Sequence, residues 1–200
     1  MAFIETTSAT SADPAAKKLL EADEAGMGYL PNYARLLARR PQVYAAWKEL
    51  LGAIKANMDA RRYELVTIAA AQRLRSSYCM LAHSTVMIDA LGFEPDTIRD
   101  IVADRRTAPI DDAERAVMDL AEQVVADAAS VTQTDIERLR AYGLTDAEIL
   151  DVILAAAARC FLSKTVDAAG VLPDARYAEL DAPLRDALIV GRPIETAARP

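Results

Sequence analysis

The sequence is poor in the residues that most often carry chemistry in enzymes. Its 200 residues include one histidine, His83, and two cysteines, Cys79 and Cys160, which lie far apart in the chain. Two distant cysteines do not suggest a disulfide framework, and together with one histidine they give no metal-ligand set of the usual spacing. No glycine-rich phosphate loop is present either. We therefore expect a reducing, cytoplasmic setting, no metal and no bound cofactor.

Glycine and aromatic residues are also scarce, at seven glycines and 6% aromatic residues. Alanine is abundant and no stretch alternates as a strand does, which favours helices over sheet. The length suits one domain with a sizeable core. No segment approaches the roughly 20 uncharged apolar residues that span a bilayer, and the N-terminus lacks a basic start followed by an apolar run. We expect neither a membrane span nor a secretory signal.

The chain has no excess of positive charge, since its net charge is -7. A surface of this kind repels phosphate backbones unless a basic patch is concentrated somewhere. The short basic clusters at Arg39-Arg40, Arg61-Arg62 and Arg105-Arg106 each lie near a predicted helix end, where cations offset the helix dipole or flank a turn. We expect no nucleic-acid partner.

Proline, glycine and capping residues divide the chain into predicted helices. The predicted spans are Pro14 to about Ala25, Pro41 to about Met58, Arg61 to about Leu74, and the stretch RSSYCMLAHS (residues 75–84) onward to Leu91, with Gly92 as its C′ residue. Residues 1–13 are expected to be mobile, and residues 14–200 to form one domain whose C-terminal tail starts at about residue 171.

Capping-box spacing marks three later helix starts, at Asp111–Glu114, Thr134–Glu137 and Thr145–Glu148. The last of these precedes the strongest apolar periodicity in the chain. Its predicted buried stripe is Ile149, Val152, Ile153, Ala156, Ala157, Cys160 and Phe161.

The stretch RSSYCMLAHS contains the most informative pair of side chains. Cys79 and His83 are four residues apart, so on a helix they share a face with Cβ atoms about 6 Å apart. A free thiol has a pKa near 8.5, and only about 3% of it is thiolate at neutral pH. An adjacent imidazole accepts that proton, and the helix N-terminus favours the anion. The alternative interpretation is a small buried hydrophobe beside a core histidine.

Glu64 is a candidate third member of this group, fifteen residues before Cys79. In a simple antiparallel hairpin it would lie roughly three turns from the connection, far from Cys79. A surface carboxylate in a first helical turn is the alternative.

The spacing of Glu64, then Ser76-Ser-Tyr-Cys79, then His83 resembles the core of the AhpD-like superfamily, which contains AhpD-type alkylhydroperoxidases and carboxymuconolactone decarboxylases. The phrase Gly28-Tyr-Leu-Pro-Asn-Tyr, Arg40-Pro41 and Asp167-Ala-Ala-Gly170 are similar to its peroxidase-related branch, and the likeness covers most of residues 26–172. The resemblance implies an all-α, single-domain AhpD-like helical bundle and a homo-oligomer, a trimer or hexamer.

The resemblance also assigns roles. Cys79 matches the peroxide-reactive thiol, His83 its neighbouring histidine, and Glu64 the glutamate that helps to move the proton, which implies that Glu64 reaches the site. Ser76 replaces the first cysteine of the family's Cys-x-x-Cys pair, so no disulfide can close the cycle. An external thiol, or Cys160 of a neighbouring subunit, would have to resolve oxidised Cys79. Tyr78 is expected to donate a hydrogen bond into the pocket.

The sequence thus predicts a thiol-dependent peroxidase that reduces hydrogen peroxide or an organic hydroperoxide in a one-cysteine cycle. Two alternatives stay open. One is a lactone decarboxylase of the carboxymuconolactone type, which would use Glu64 and His83 without a thiol. The other is a non-catalytic oligomeric protein on the same scaffold.

Overall fold

The computed structural model describes residues 2–7 and 13–196. Within these ranges the chain is helical and contains no strand, which confirms the all-α prediction. The α-helices are α1 (Pro14–Met27), α2 (Asn32–Leu37), α3 (Pro41–Ala56), α4 (Ala60–Leu74), α5 (Ser77–Leu91), α6 (Pro95–Asp104), α7 (Asp112–Asp127), α8 (Gln133–Ala141), α9 (Asp146–Ala168) and α10 (Ala182–Leu188). Two short 3-10 helices span Ala128–Ser130 and Ala175–Glu179.

Helix α4 lies at the centre of the bundle and packs against α5, α7 and α9. Its predicted apolar face, Leu65, Ile68 and Ala69, is fully buried. Two polar residues of the same helix, Glu64 and Thr67, are buried as well. A central helix with neighbours on three sides has little surface left for water, so polar side chains on it need partners inside the protein.

Capping chemistry sets the ends of the later helices. The capping boxes predicted at Asp111 and Thr145 are both present. The box predicted at Thr134–Glu137 is wrong. The helix begins two residues earlier, because Thr132 caps it and the Asp135 side chain accepts a hydrogen bond from the Thr132 backbone N–H at 2.8 Å. Both registers have the capping spacing, so the pattern alone did not distinguish them.

The buried face of α9 differs in part from the predicted stripe. Ile149, Val152 and Ala156 are buried as predicted, but Ala157 and Phe161 are exposed. Arg159 and Ser163 are buried in their place. Alanine occupies all four positions 155–158, so hydrophobicity does not distinguish the two sides of the helix there.

Residues 2–7 lie against the end of α9 and against Arg192 of the C-terminal tail. Residue 1 and residues 8–12 of the predicted mobile segment lie outside the described residues. Within residues 2–7, the Phe3 backbone N–H donates to the Ala169 carbonyl at 2.8 Å, and the Arg192 guanidinium stacks on the Phe3 ring. No helix in the described part of the chain is long and apolar enough to cross a membrane.

Candidate active site

A tight corner between α4 and α5 positions the first candidate residue. Arg75 ends α4 in the left-handed conformation with a φ of 57°, and Ser76 follows in an extended conformation as the residue before α5. Helix α5 then returns along α4, which places Cys79 in the first turn of α5 with its side chain turned inward. The corner therefore directs a thiol toward the interior at a helix N-terminus, where the helix dipole favours an anion.

Glu64 and His83 meet across the α4–α5 pair. The distance from Glu64 Oε2 to His83 Nδ1 is 2.5 Å. Glu64 lies eleven residues before Arg75 and His83 eight residues after it, so the offset along antiparallel helices is about 4.5 Å, which a glutamate side chain spans. An antiparallel hairpin therefore keeps Glu64 away from Cys79 but not from His83. The residue that Glu64 contacts is His83, one turn further along α5.

The charges of this pair follow from their surroundings. Burial opposes ionisation of Glu64, but the neighbouring His83, with smaller effects of Lys55 and Arg159, lowers the pKa of Glu64 on balance. Burial and then Arg159 lower the pKa of His83, and the opposing attraction of Glu64 does not reverse this. The arrangement is a carboxylate that accepts the Nδ1–H of a neutral imidazole. Nε2 is then the proton-accepting atom.

The Cys79 sulfur has polar neighbours from α9. The Ser163 hydroxyl donates to Cys79 Sγ at 3.1 Å, and Arg159 Nη1 lies 3.7 Å from the same sulfur. Cys79 is only 2% exposed, so these contacts replace water. A cation and a hydroxyl donor both stabilise a thiolate relative to a thiol.

Arg159 is a buried cation without a carboxylate in salt-bridge contact among the described residues. Its side chain is almost fully buried, Nη2 donates to the Tyr63 hydroxyl at 3.0 Å, and Nε has no protein partner there. Burial opposes its charge, yet Cys79, Tyr63 and Glu64 together raise the pKa of Arg159 on balance. The guanidinium therefore stays charged beside the sulfur.

Sequence reasoning missed Arg159 and Ser163, although the sequence carried a signal for the first of them. Arg159 is the only charged residue between Asp151 and Lys164. It lies seven residues after the buried Val152, and Ser163 lies four residues further along the same face. A lone charge on the interior face of an apolar helix indicates an internal partner.

Cys79, His83 and Arg159 line one cavity of about 540 Å³. Its walls are largely aromatic: Tyr29, Tyr33, Tyr44, Trp47, Tyr78 and Tyr177 all contribute to them. Lys55 also lines the cavity. Glu64 does not line it and lies behind His83. A cavity of this size accepts a small organic molecule, with the sulfur and the imidazole in its wall.

Tyr78 and Ser76, the other two residues singled out in the sequence, occupy different positions. The Tyr78 ring lines the cavity, but its hydroxyl donates to Asp174 of the C-terminal tail and accepts from the Tyr33 N–H at 3.2 Å. Burial, and next the negative charge of Asp174, raise the pKa of Tyr78 well above its usual value. Ser76 is fully buried, and its hydroxyl has no hydrogen-bond partner within the described residues.

Part of the chain matches a known protein family. Residues 41–123 match the model of the carboxymuconolactone decarboxylase family, and this range includes Glu64, Cys79 and His83. No curated protein sequence matches the chain.

Solved structures share the fold over most of the chain. A peroxidase-related protein with an alkylhydroperoxidase AhpD core from Ralstonia eutropha superposes with a TM-score of 0.80 at 20% identity, covering 88% of this chain and 94% of the other. A peroxidase-related protein from a Silicibacter species gives a TM-score of 0.75 at 22% identity, with 84% and 91% covered. The debrominase Bmp8, solved with 2,3,4-tribromopyrrole, gives 0.68 at 16% identity, with 88% and 90% covered. The chain is therefore similar to the carboxymuconolactone decarboxylase family over residues 41–123, and it shares the fold of these peroxidase-related proteins over most of its length.

Proposed function

We propose that the protein is a thiol-dependent peroxidase that reduces hydrogen peroxide or an organic hydroperoxide through Cys79. The observation that carries this proposal is the position of the sulfur. It lies in the wall of the cavity, 3.1 Å from the Ser163 hydroxyl and 3.7 Å from the Arg159 guanidinium. A guanidinium and a hydroxyl at these distances interact favourably with an anionic sulfur, and the anionic sulfur is the form that attacks peroxides.

In the proposed reaction His83 first accepts the thiol proton, which leaves a thiolate and an imidazolium. The Cys79 thiolate then attacks the terminal oxygen of the peroxide, an S–O bond forms and the O–O bond breaks. His83 returns the proton to the leaving oxygen, and the products are an alcohol or water and a Cys79 sulfenic acid. Glu64 supports this step because its contact with His83 Nδ1 leaves Nε2 as the atom that exchanges the proton.

An external thiol reduces the sulfenic acid in this proposal. Ser76 has no sulfur with which to form a disulfide. The other cysteine, Cys160, is only half-buried and does not line the cavity. The chain alone therefore supplies one thiol to the reaction.

A cysteine-to-serine comparison tests the proposal. Cys79→Ser removes the nucleophile with little change in volume, so peroxide consumption is expected to fall at least about 100-fold while the far-UV circular dichroism spectrum and the unfolding temperature stay close to those of the wild type. Cys160→Ser is the matched control and is expected to retain full activity. Equal peroxide turnover by the Cys79→Ser protein would remove the thiol from the mechanism.

The contact between Glu64 and His83 also favours a second candidate, decarboxylation of a lactone by this acid–base pair. In that reaction the thiol is not needed, and a buried cation such as Arg159 would bind a substrate carboxylate. Activity on a muconolactone that survives Cys79→Ala but not His83→Ala would favour this candidate. A Cys79 thiol that resists alkylation, with neither activity present, would favour the non-catalytic alternative.

We also propose that the protein forms a homo-oligomer, a trimer or hexamer, in a reducing, cytoplasmic compartment. An apolar patch on α3 and α9 supports the association. It is lined by Val43, Trp47, Leu50, Leu154 and Phe161, and four of these side chains are 40% or more exposed. Exposed apolar clusters of this kind commonly mark protein–protein contacts. Two unpaired cysteines suit a reducing compartment.

A further inference from the structure

The C-terminal strap, residues 171–196, covers the corner between α4 and α5. The Gly191 N–H donates to the Ser77 hydroxyl at 2.8 Å, and the Arg75 Nε donates to the Val190 carbonyl at 3.1 Å. A Cβ atom at Gly191 would lie 2.0 Å from the Arg75 carbonyl oxygen. Only glycine therefore allows the strap to approach the corner this closely.

The strap is fastened along its length by a second group of contacts around Asn32. The Asn32 N–H donates to Asp174 Oδ1 at 2.8 Å, and its side-chain amide donates to Glu195 Oε2 at 2.8 Å. The Glu195 N–H in turn donates to the Pro173 carbonyl at 2.9 Å. The Arg192 guanidinium also donates to the Asp167 carbonyl at 2.6 Å. The strap is therefore held near its start, at Asp174, and near its end, at Arg192 and Glu195.

This cover closes one side of the site. Ser76 and Ser77, which open α5 one turn before Cys79, are both 0% exposed. The side of α5 at which a second cysteine of this chain, or the cysteine of a docked protein, would approach Cys79 is therefore occupied. The 540 Å³ cavity offers a route to the sulfur, because Cys79 is among the residues that line it. A small molecule enters a cavity of this size. Because Cys79 is only 2% exposed, we expect a small thiol inside the cavity to reach its sulfur more readily than the cysteine of a folded protein partner.

We propose that the external reductant of Cys79 is a low-molecular-weight thiol that enters through this cavity, and not a protein dithiol. The inference rests on the proposed peroxidase function. A first thiol RSH attacks the Cys79 sulfenic acid, an S–S bond forms, the S–O bond breaks and water leaves. A second RSH attacks the mixed disulfide, which releases RSSR and restores the Cys79 thiol.

A disulfide-exchange experiment tests the access route without any peroxide. The Cys160→Ser protein is loaded at Cys79 with a small aromatic disulfide, and the full-length protein is then treated with 2-mercaptoethanol or with reduced thioredoxin. At equal thiolate concentrations, we expect 2-mercaptoethanol to release the label at least about 100-fold faster than reduced thioredoxin does. An exposed disulfide would not show this preference, because thioredoxin reduces exposed disulfides readily. Comparable rates would overturn the proposal, and so would a label that neither thiol releases.

A variant that loosens the strap extends the disulfide-exchange experiment. Gly191→Ala forces the strap away from Arg75 and is expected to raise the thioredoxin rate about 10-fold or more, with the 2-mercaptoethanol rate within about threefold of the parent. Gly26→Ala is the control, because a Cβ there meets nothing within 4 Å. An unchanged selectivity in a folded Gly191→Ala protein would contradict the role of the strap.

The proposed peroxidase function and the proposed reductant can be refuted independently. If peroxide leaves Cys79 unoxidised, the peroxidase function is lost while the exchange rates still report which thiols reach the sulfur. If peroxide oxidises Cys79 but thioredoxin restores it as fast as the small thiol, only the inference about the reductant is lost.

Discussion

Arg159 is the residue on which the proposed reaction depends most after Cys79 itself. It is a buried guanidinium that contacts the Cys79 sulfur, the Tyr63 hydroxyl and no carboxylate among the described residues. A buried charge without a carboxylate in direct contact is costly, so the polar contacts of Arg159 with the Cys79 sulfur and the Tyr63 hydroxyl matter for its stability. In the proposed reaction the contact between Arg159 and the sulfur also makes the thiol reactive.

Replacing Arg159 tests this coupling. Arg159→Met keeps much of the side-chain volume but removes the charge, so oxidation of Cys79 by peroxide at pH 7 is expected to slow by about 10-fold or more. The rate is measured by trapping the sulfenic acid with a 1,3-dione and quantifying the adduct by mass spectrometry. Arg62→Met, which removes a partly exposed ion pair with Glu148, is the control and is expected to change the rate less than about twofold. Equal slowing in both variants would refute the coupling.

We expect His83 to set the pH dependence of the proposed reaction. The imidazole must be neutral to accept a proton, and its pKa lies below the ordinary value because of burial and Arg159. The acid limb of the rate profile is therefore expected below about pH 6.5, with full activity through neutral pH. Glu64 raises the pKa of His83 in the wild type, so Glu64→Gln should move the acid limb to still lower pH.

The same variant is expected to lower the plateau rate by about 10-fold or more, because the imidazole loses the carboxylate that fixes its orientation. The measurement is the rate of peroxide reduction from about pH 4.5 to about pH 8.5, a range that includes the pH values at which histidine side chains usually titrate. An acid limb that shifts upward in Glu64→Gln would contradict the assigned charges of the pair.

At this scale the sequence predicts what one helix contains. Cys79 and His83 are neighbours because a helix repeats every 3.6 residues, and one spacing is enough to propose them. Arg159 and Ser163 come from a helix 80 residues later, and the contact depends on how α9 rotates against α4 and α5. Such a rotation is set by packing over the whole bundle and has no local pattern.

Helix α9 carries Arg159 and Ser163. We therefore expect the N-terminus of this helix to matter for the stability of the fold around the site. Thr145 caps it within a complete capping box. Thr145→Ala is expected to lower the free energy of unfolding by about 1 kcal/mol, measured by urea denaturation. Thr165→Ala on the same helix is the control, because the exposed Thr165 hydroxyl only bonds back to the Phe161 carbonyl, and less than about 0.5 kcal/mol is expected. A loss no larger than in the control would argue against the cap.

The elements themselves are largely predictable from local chemistry. Pro14 and Pro41 begin α1 and α3, and Gly92 ends α5 in the left-handed conformation, as their intrinsic backbone preferences predict. The C-terminal tail is different. Its path across α5 depends on single contacts of Gly191 and Asp174 with distant residues, which no periodicity encodes.

On the scale of the whole molecule, the apolar patch of α3 and α9 predicts self-association. Leu50→Glu places a charge at an exposed position of the patch and is expected to convert the oligomer to monomers, observed as a fall in molar mass by light scattering coupled to size exclusion. Tyr142→Glu, at an exposed aromatic position outside the patch, is the control and should leave the molar mass unchanged. A wild-type protein that runs as a monomer would contradict the prediction directly.

The rate at which a small reagent alkylates the Cys79 thiol tests the account most directly. In the Cys160→Ser protein the second-order rate of alkylation of Cys79 by a small reagent is measured against pH. We expect a rate at pH 7 about 10-fold or more above that of a free cysteine, and a further fall in that rate when Arg159 is replaced by Met. A thiol that reacts no faster than free cysteine at neutral pH, and whose rate does not change when Arg159 is replaced, would contradict the proposal that the buried guanidinium makes Cys79 reactive.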